Sequence, residues 1–73
     1  MRIEYSDLAL DMMRDRNIQP AEVEYVLSSY AESYPNKVGN RVIFKGYPED
    51  RFIKVKIVAG KSPILVTTVS DSE

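Results

Sequence analysis

Residues 41–60 read RVIFKGYPEDRFIKVKIVAG, and their alternation decides the fold. Apolar and polar side chains alternate at period two on both sides of a Tyr-Pro-Glu-Asp turn, the pattern of a β-hairpin with one covered face. Val42, Phe44, Ile53, Val55 and Ile57 fall on one side. Arg41, Ile43, Lys45, Tyr47, Phe52, Lys54 and Lys56 fall on the other. The first set is a core. The second interleaves cations with two aromatic rings on a surface that would otherwise be plainly polar. A turn around Pro48, Glu49 and Asp50 sets Lys45 opposite Lys54, and like charges facing each other across a sheet repel.

Working outward toward the N-terminus, residues 2–5 (RIEY) alternate and predict a short edge strand. Ser6 reads as a helix N-cap, with Asp7 in the first turn where a carboxylate favours the helix dipole. That helix is expected from Asp7 to about Arg16. Its apolar stripe is Leu8, Ala9, Met12 and Met13, and Asn17 suits a left-handed exit. A second helix starts at Pro20, a residue suited to the first helical position. Val23, Val26, Leu27 and Tyr30 follow the helical period toward the core, and Tyr25 points away. The helix fades in the polar run Ser28 to Ser33 and ends before Pro35 and Asn36. Toward the C-terminus, residues 36–40 and 60–63 read as turns. Ile64 to Ser70 is a final β-branched strand expected to be buried on both faces, and the tail from Ser70 is expected to fray. The order is β-α-α-β-β-β in a single small domain over residues 1–73. This is an α+β fold with an N-terminal helical hairpin packed on one face of an antiparallel sheet.

Composition narrows the chemistry. The 73 residues include neither cysteine nor histidine, which removes disulfides, thiolate metal sites and the commonest zinc ligand and general base. No metal site and no cofactor are expected, and the Asp7, Asp11, Asp15 row reads as a solvated helix face. No apolar run is long enough to cross a bilayer or to follow Arg2 as a signal sequence, so a cytoplasmic location is expected. Net charge is −1, but residues 1–34 carry three basic and seven acidic side chains against seven basic and four acidic in residues 35–73. Positive charge thus gathers on the strands and negative charge on the helices, so an acidic chain can still present a cationic face.

LALDMMRDRNI, then VEYVL, then Gly39-x-Arg41-Val42 and a terminal strand with Thr67 and Thr68 resemble an uncharacterised domain-of-unknown-function family of small prokaryotic proteins. The family helix reads His-Ala-x-x-Arg-Met-x-x-Arg-Gly-Ile. Ala9, Met13, Arg16 and Ile18 match it, while Leu8 replaces the His, Met12 the first Arg and Asn17 the Gly. That family is similar to RelE/ParE-type toxins, and the resemblance implies a RelE/ParE-like helical hairpin over a sheet with a cationic face. It further implies RNA as a ligand, with cleavage by Arg, Lys and Tyr side chains in place of histidine.

The candidate residues follow from both readings. Cleavage of RNA needs a base for the 2′-hydroxyl, a cation on the phosphate and an acid for the leaving oxygen. Lys45, Tyr47 and Lys54 are the candidates for those roles. Arg16, Arg41, Arg51, Phe52 and Lys56 are candidates for holding RNA or another anion, because rings stack on bases and cations pair with phosphates. Arg16 falls within an apolar stripe at a helix end. It either snorkels outward or orders a carboxylate or phosphate. The same lysine-rich face also reads as a solubilising surface, or as a docking site for a protein such as an antitoxin or a second copy of the chain. Both an enzymatic and a non-catalytic interaction role are open on the sequence.

Overall fold

The structure is a computed structural model, and it describes residues 2–36, 39–60 and 62–72. The elements are β1 (Ile3–Tyr5), α1 (Asp7–Asp15), α2 (Pro20–Ser28), β2 (Glu32–Pro35), β3 (Arg41–Gly46), a 3-10 turn (Pro48–Asp50), β4 (Ile53–Val58) and β5 (Ile64–Ser70). The expected turns over 36–40 and 60–63 include Lys37, Val38 and Lys61, which lie outside the described residues, as does Glu73 of the tail.

The fold is α+β, with two helices on a five-stranded sheet of order β1-β5-β4-β3-β2. The strand count and the strand pairing differ from expectation. The sheet is mixed, because β1 pairs parallel with β5 while all other pairs are antiparallel. A fifth strand, β2, occupies Glu32–Pro35, where the sequence reads as a fading helix. Its residues are polar and carry a proline, so they lack an apolar alternation. The strand is held instead by its ladder with β3. Pro35 is tolerated because β2 is an edge.

The local signals at the helices hold. The Ser6 hydroxyl accepts from the Ala9 N–H at 3.0 Å and donates to the Thr67 carbonyl at 3.0 Å, so it caps α1 and ties it to β5 together. Asn17 adopts φ 54°, the left-handed exit expected of it. Pro20 opens α2, and Glu22 Oε1 accepts from the Gln19 N–H at 2.8 Å to complete a capping box.

The core lies between the helices and one sheet face. Ala9, Met13, Ile18, Val23, Val26, Ile53, Val55, Val66 and Val69 are buried there, with Phe44 and Ile57 packed against them. α2 comes close enough to β3 that a Cβ on Gly46 would meet the Val26 side chain at 3.2 Å, so glycine sets the approach. Tyr30 departs from its expected core position. It lies beyond the α2 end and is half-exposed, with its ring edge on Phe44 at 4.9 Å. β5 is not buried on both faces. Only Val66 and Val69 are fully covered, and their three-residue spacing comes from a bulge that leaves Thr67 unpaired between Thr68 and Val66.

β1 pairs with only Ile64 to Val66 of β5. Beyond that point α1 takes over the β5 edge, from Ser6 at Thr67 to Arg16 beside Asp71. Leu8 and Met12, one turn apart, are therefore not core residues. Leu8 is exposed, and Met12 overhangs the far side of the sheet.

Candidate nucleic-acid interface

The sheet face opposite the helices is a grid set by register. Ser70, Lys54, Lys45 and Glu32 lie across it in one row, and Thr68, Lys56, Ile43 and Tyr34 in the next. Lys45 stands directly opposite Lys54, as the turn length predicts. Arg41 lies on the same face of β3, opposite Val58, which is buried but stands apart from the main core cluster.

Cations on this face fall into two conditions. Lys45 is engaged: its Nζ is 3.8 Å from Glu32 Oε1 and 5.1 Å from the centre of the Tyr34 ring. Arg41, Lys54 and Lys56 have no ion-pair partner among the described residues. Elsewhere among the described residues, Arg14, Arg16 and Arg51 pair with carboxylates, and Arg2 does not. A concavity of about 280 Å³ opens beside the two lysines, lined by Met12, Ile43, Lys54, Lys56, Thr68 and Ser70. No carboxylate among the described residues lines it.

Tyr47 and Phe52 lie beyond the ends of β3 and β4, flanking the 3-10 turn, with ring centres 5.6 Å apart. Alternation continues the Lys45–Lys54 row to them. Tyr47 is half-exposed, so one aromatic surface stands at the end of the cationic grid.

Arg16 and Arg51 form a separate cluster at the turn between the helices. Arg51 Nη1 donates to the Asn17 carbonyl at 2.9 Å and lies 3.5 Å from Glu22 Oε2. Its Nη2 donates to the Arg16 carbonyl and to Asp71 Oδ2, the latter at 3.1 Å. Arg16, read either as snorkelling outward or as ordering a carboxylate or phosphate, is part-exposed, and its Nε lies 3.5 Å from Asp71 Oδ1 of the same chain. A larger hollow of about 600 Å³ adjoins Arg51, but the carboxylates of Glu22 and Glu49 share its wall. An anion gains little there.

The sequence reading missed Met12, Thr68 and Ser70 as members of the open face. Met12 looks like core by helical period alone. The available signal was length: a three-residue β1 cannot cover a seven-residue β5, so α1 must run along the remainder. The acidic row Asp7, Asp11, Asp15 is exposed, with Asp11 and Asp15 paired to Arg14 at 3.1 and 3.8 Å. Among the described residues, no three or more aspartates and glutamates gather closely enough to hold a metal ion. No helix of the described residues is long and apolar enough to cross a membrane.

Fold and face together define a class: a small α+β domain with two helices on one side of a mixed sheet and a cationic grid on the other. The chain belongs to the DUF4258 family, a domain of unknown function, whose model matches residues 5–71. The match spans the helix and strand residues that carry the resemblance to an uncharacterised family. No curated protein and no solved structure matches the chain.

Proposed function

We propose that this domain is a RelE/ParE-like, toxin-type RNA-binding module that uses its open sheet face. The observation that carries the reading is the set Arg41, Lys54 and Lys56, three cations on one sheet face without ion-pair partners among the described residues. Unpaired cations aligned on a sheet attract a polyanion and release its counterions on binding. Tyr47 and Phe52 add ring surface at the end of the grid. Two N-terminal helices backing a cationic sheet also resemble the RelE/ParE arrangement. Lys45, Tyr47 and Lys54 are the candidates for cleavage. Lys54 is the best placed of them, because Lys45 is already held by Glu32.

The test is a titration of the protein with single-stranded RNA across a range of salt, with the RNA then examined for cleavage. Binding should weaken steeply with salt. Lys54→Ala and Lys56→Ala should each lower the slope of log K against log salt by roughly 0.7. Absence of binding at low salt removes the RNA reading. A protein-docking role, for an antitoxin-like chain or a second copy, is favoured by the half-exposed Tyr47 beside Phe52. Under that role Phe52→Ala weakens the complex more than either lysine change does.

A further inference from the structure

The open-face concavity is built differently from a site for phosphate alone. Its apolar wall is the Met12 side chain from α1 and Ile43 from β3. Lys54 and Lys56 of β4 give it a cationic side, and Thr68 and Ser70 of β5 a hydroxyl side. Phosphate is held by cations and N–H donors, and an apolar wall contributes nothing to it. An aliphatic ligand would leave both lysines and both hydroxyls unused. The combination suits a flat group with apolar faces and a polar edge, attached to an anion.

Size agrees with this. A volume of about 280 Å³ lies at the lower bound of small-molecule sites, which begin at roughly 300 Å³. That is room for one nucleotide and little more. We propose that the concavity takes a single unstacked nucleobase of the bound RNA strand. The ring lies against the Met12 thioether and Ile43, its edge meets the hydroxyls of Thr68 and Ser70, and the adjoining phosphates pair with Lys54 and Lys56. A thioether is a favourable neighbour for an aromatic ring. The Thr68 hydroxyl has no hydrogen-bond partner among the described residues, so it is free to donate or accept. The Ser70 hydroxyl donates to the Ser72 carbonyl at 3.1 Å and accepts from the Ser72 N–H at 3.5 Å, so its oxygen keeps one lone pair for a ligand. Hydroxyls of this kind adapt to several base edges, so the site selects unpaired strands more than it selects a sequence.

The inference rests on the RNA reading of this face and is tested so that the two fail differently. The full chain is titrated by fluorescence anisotropy with three probes of equal length: an oligouridylate, the same strand carrying abasic riboses, and the oligouridylate paired with oligoadenylate. The abasic strand should bind about tenfold more weakly with an unchanged salt slope, and the duplex should also bind more weakly than the single strand. Equal affinity for the base-bearing and abasic strands overturns the base site and leaves the cationic-face reading standing. Failure of all three probes to bind at low salt overturns both. Met12→Ala should weaken the base-bearing strand several-fold and leave the abasic strand unchanged, and equal weakening of both strands counts against the proposal.

Discussion

Tyr5 shows how much one residue can carry. Its ring packs against the core from β1, yet its hydroxyl is buried with no hydrogen-bond partner among the described residues. Burial pushes its pKa above the ordinary value of 10.0, and the Glu24 carboxylate pushes it the same way. The folded state therefore holds this proton more tightly than the unfolded chain does. Stability is unaffected below about pH 10, and it falls above that as the unfolded tyrosine ionises first. Tyr5→Phe removes both the unpaired hydroxyl and the titration. It should be neutral or stabilising by up to about 1 kcal/mol at neutral pH. Urea melts between neutral pH and pH 11 should then show a shallower alkaline loss in the variant, and parallel losses would refute this account. Other single residues are easier to read. Ser6, Asn17 and Pro20 each perform the local task their chemistry suggests, because capping and exit geometry depend on near neighbours alone.

At the scale of elements, β2 explains both what was legible and what was not. β3 and β4 announce themselves by alternation, because one face is covered and the other open, and their register follows from the turn between them. β2 has no such pattern, since both of its faces are largely exposed and its sequence is Glu-Ser-Tyr-Pro. The parallel pairing of β1 is hidden for a related reason, as three residues hold no directional signal. Missing β2 also misjudges Lys45. The Lys45–Lys54 opposition suggests a nearby anion, and for Lys45 the chain supplies one in Glu32, directly opposite it on β2. Glu32→Lys would put three cations in one row across Lys54, Lys45 and position 32. It should cost roughly 0.5–1 kcal/mol, with the loss reduced by added salt. Chemical denaturation at low and high salt checks this, and a salt-independent loss would mean the ion pair is not what the change disrupts.

Across the whole molecule, the open cationic grid and the Arg16–Arg51 cluster divide the work that the sequence leaves undivided. A linear reading groups Arg16, Arg41, Arg51 and Lys56 as candidates for one anion, because it cannot see which carboxylates fold back onto which cations. Three-dimensional contact separates them. The open grid keeps Arg41, Lys54 and Lys56 unpaired, while Arg51 leaves the β3–β4 hairpin to reach α1, α2 and the residue after β5 together. Its guanidinium meets two backbone carbonyls and two carboxylates, a task that needs a planar fork and not a point charge. Arg51→Ala should therefore destabilise the fold by roughly 2 kcal/mol, allowing for the partial exposure of these pairs. Arg51→Lys should recover little of that loss. If Arg51 serves the fold alone, RNA affinity measured well below either variant's melting temperature should match the parent, with the same salt slope. A slope reduced by about 0.7 in Arg51→Lys would instead assign this guanidinium a phosphate contact, and would extend the RNA path from the open grid around the end of the hairpin.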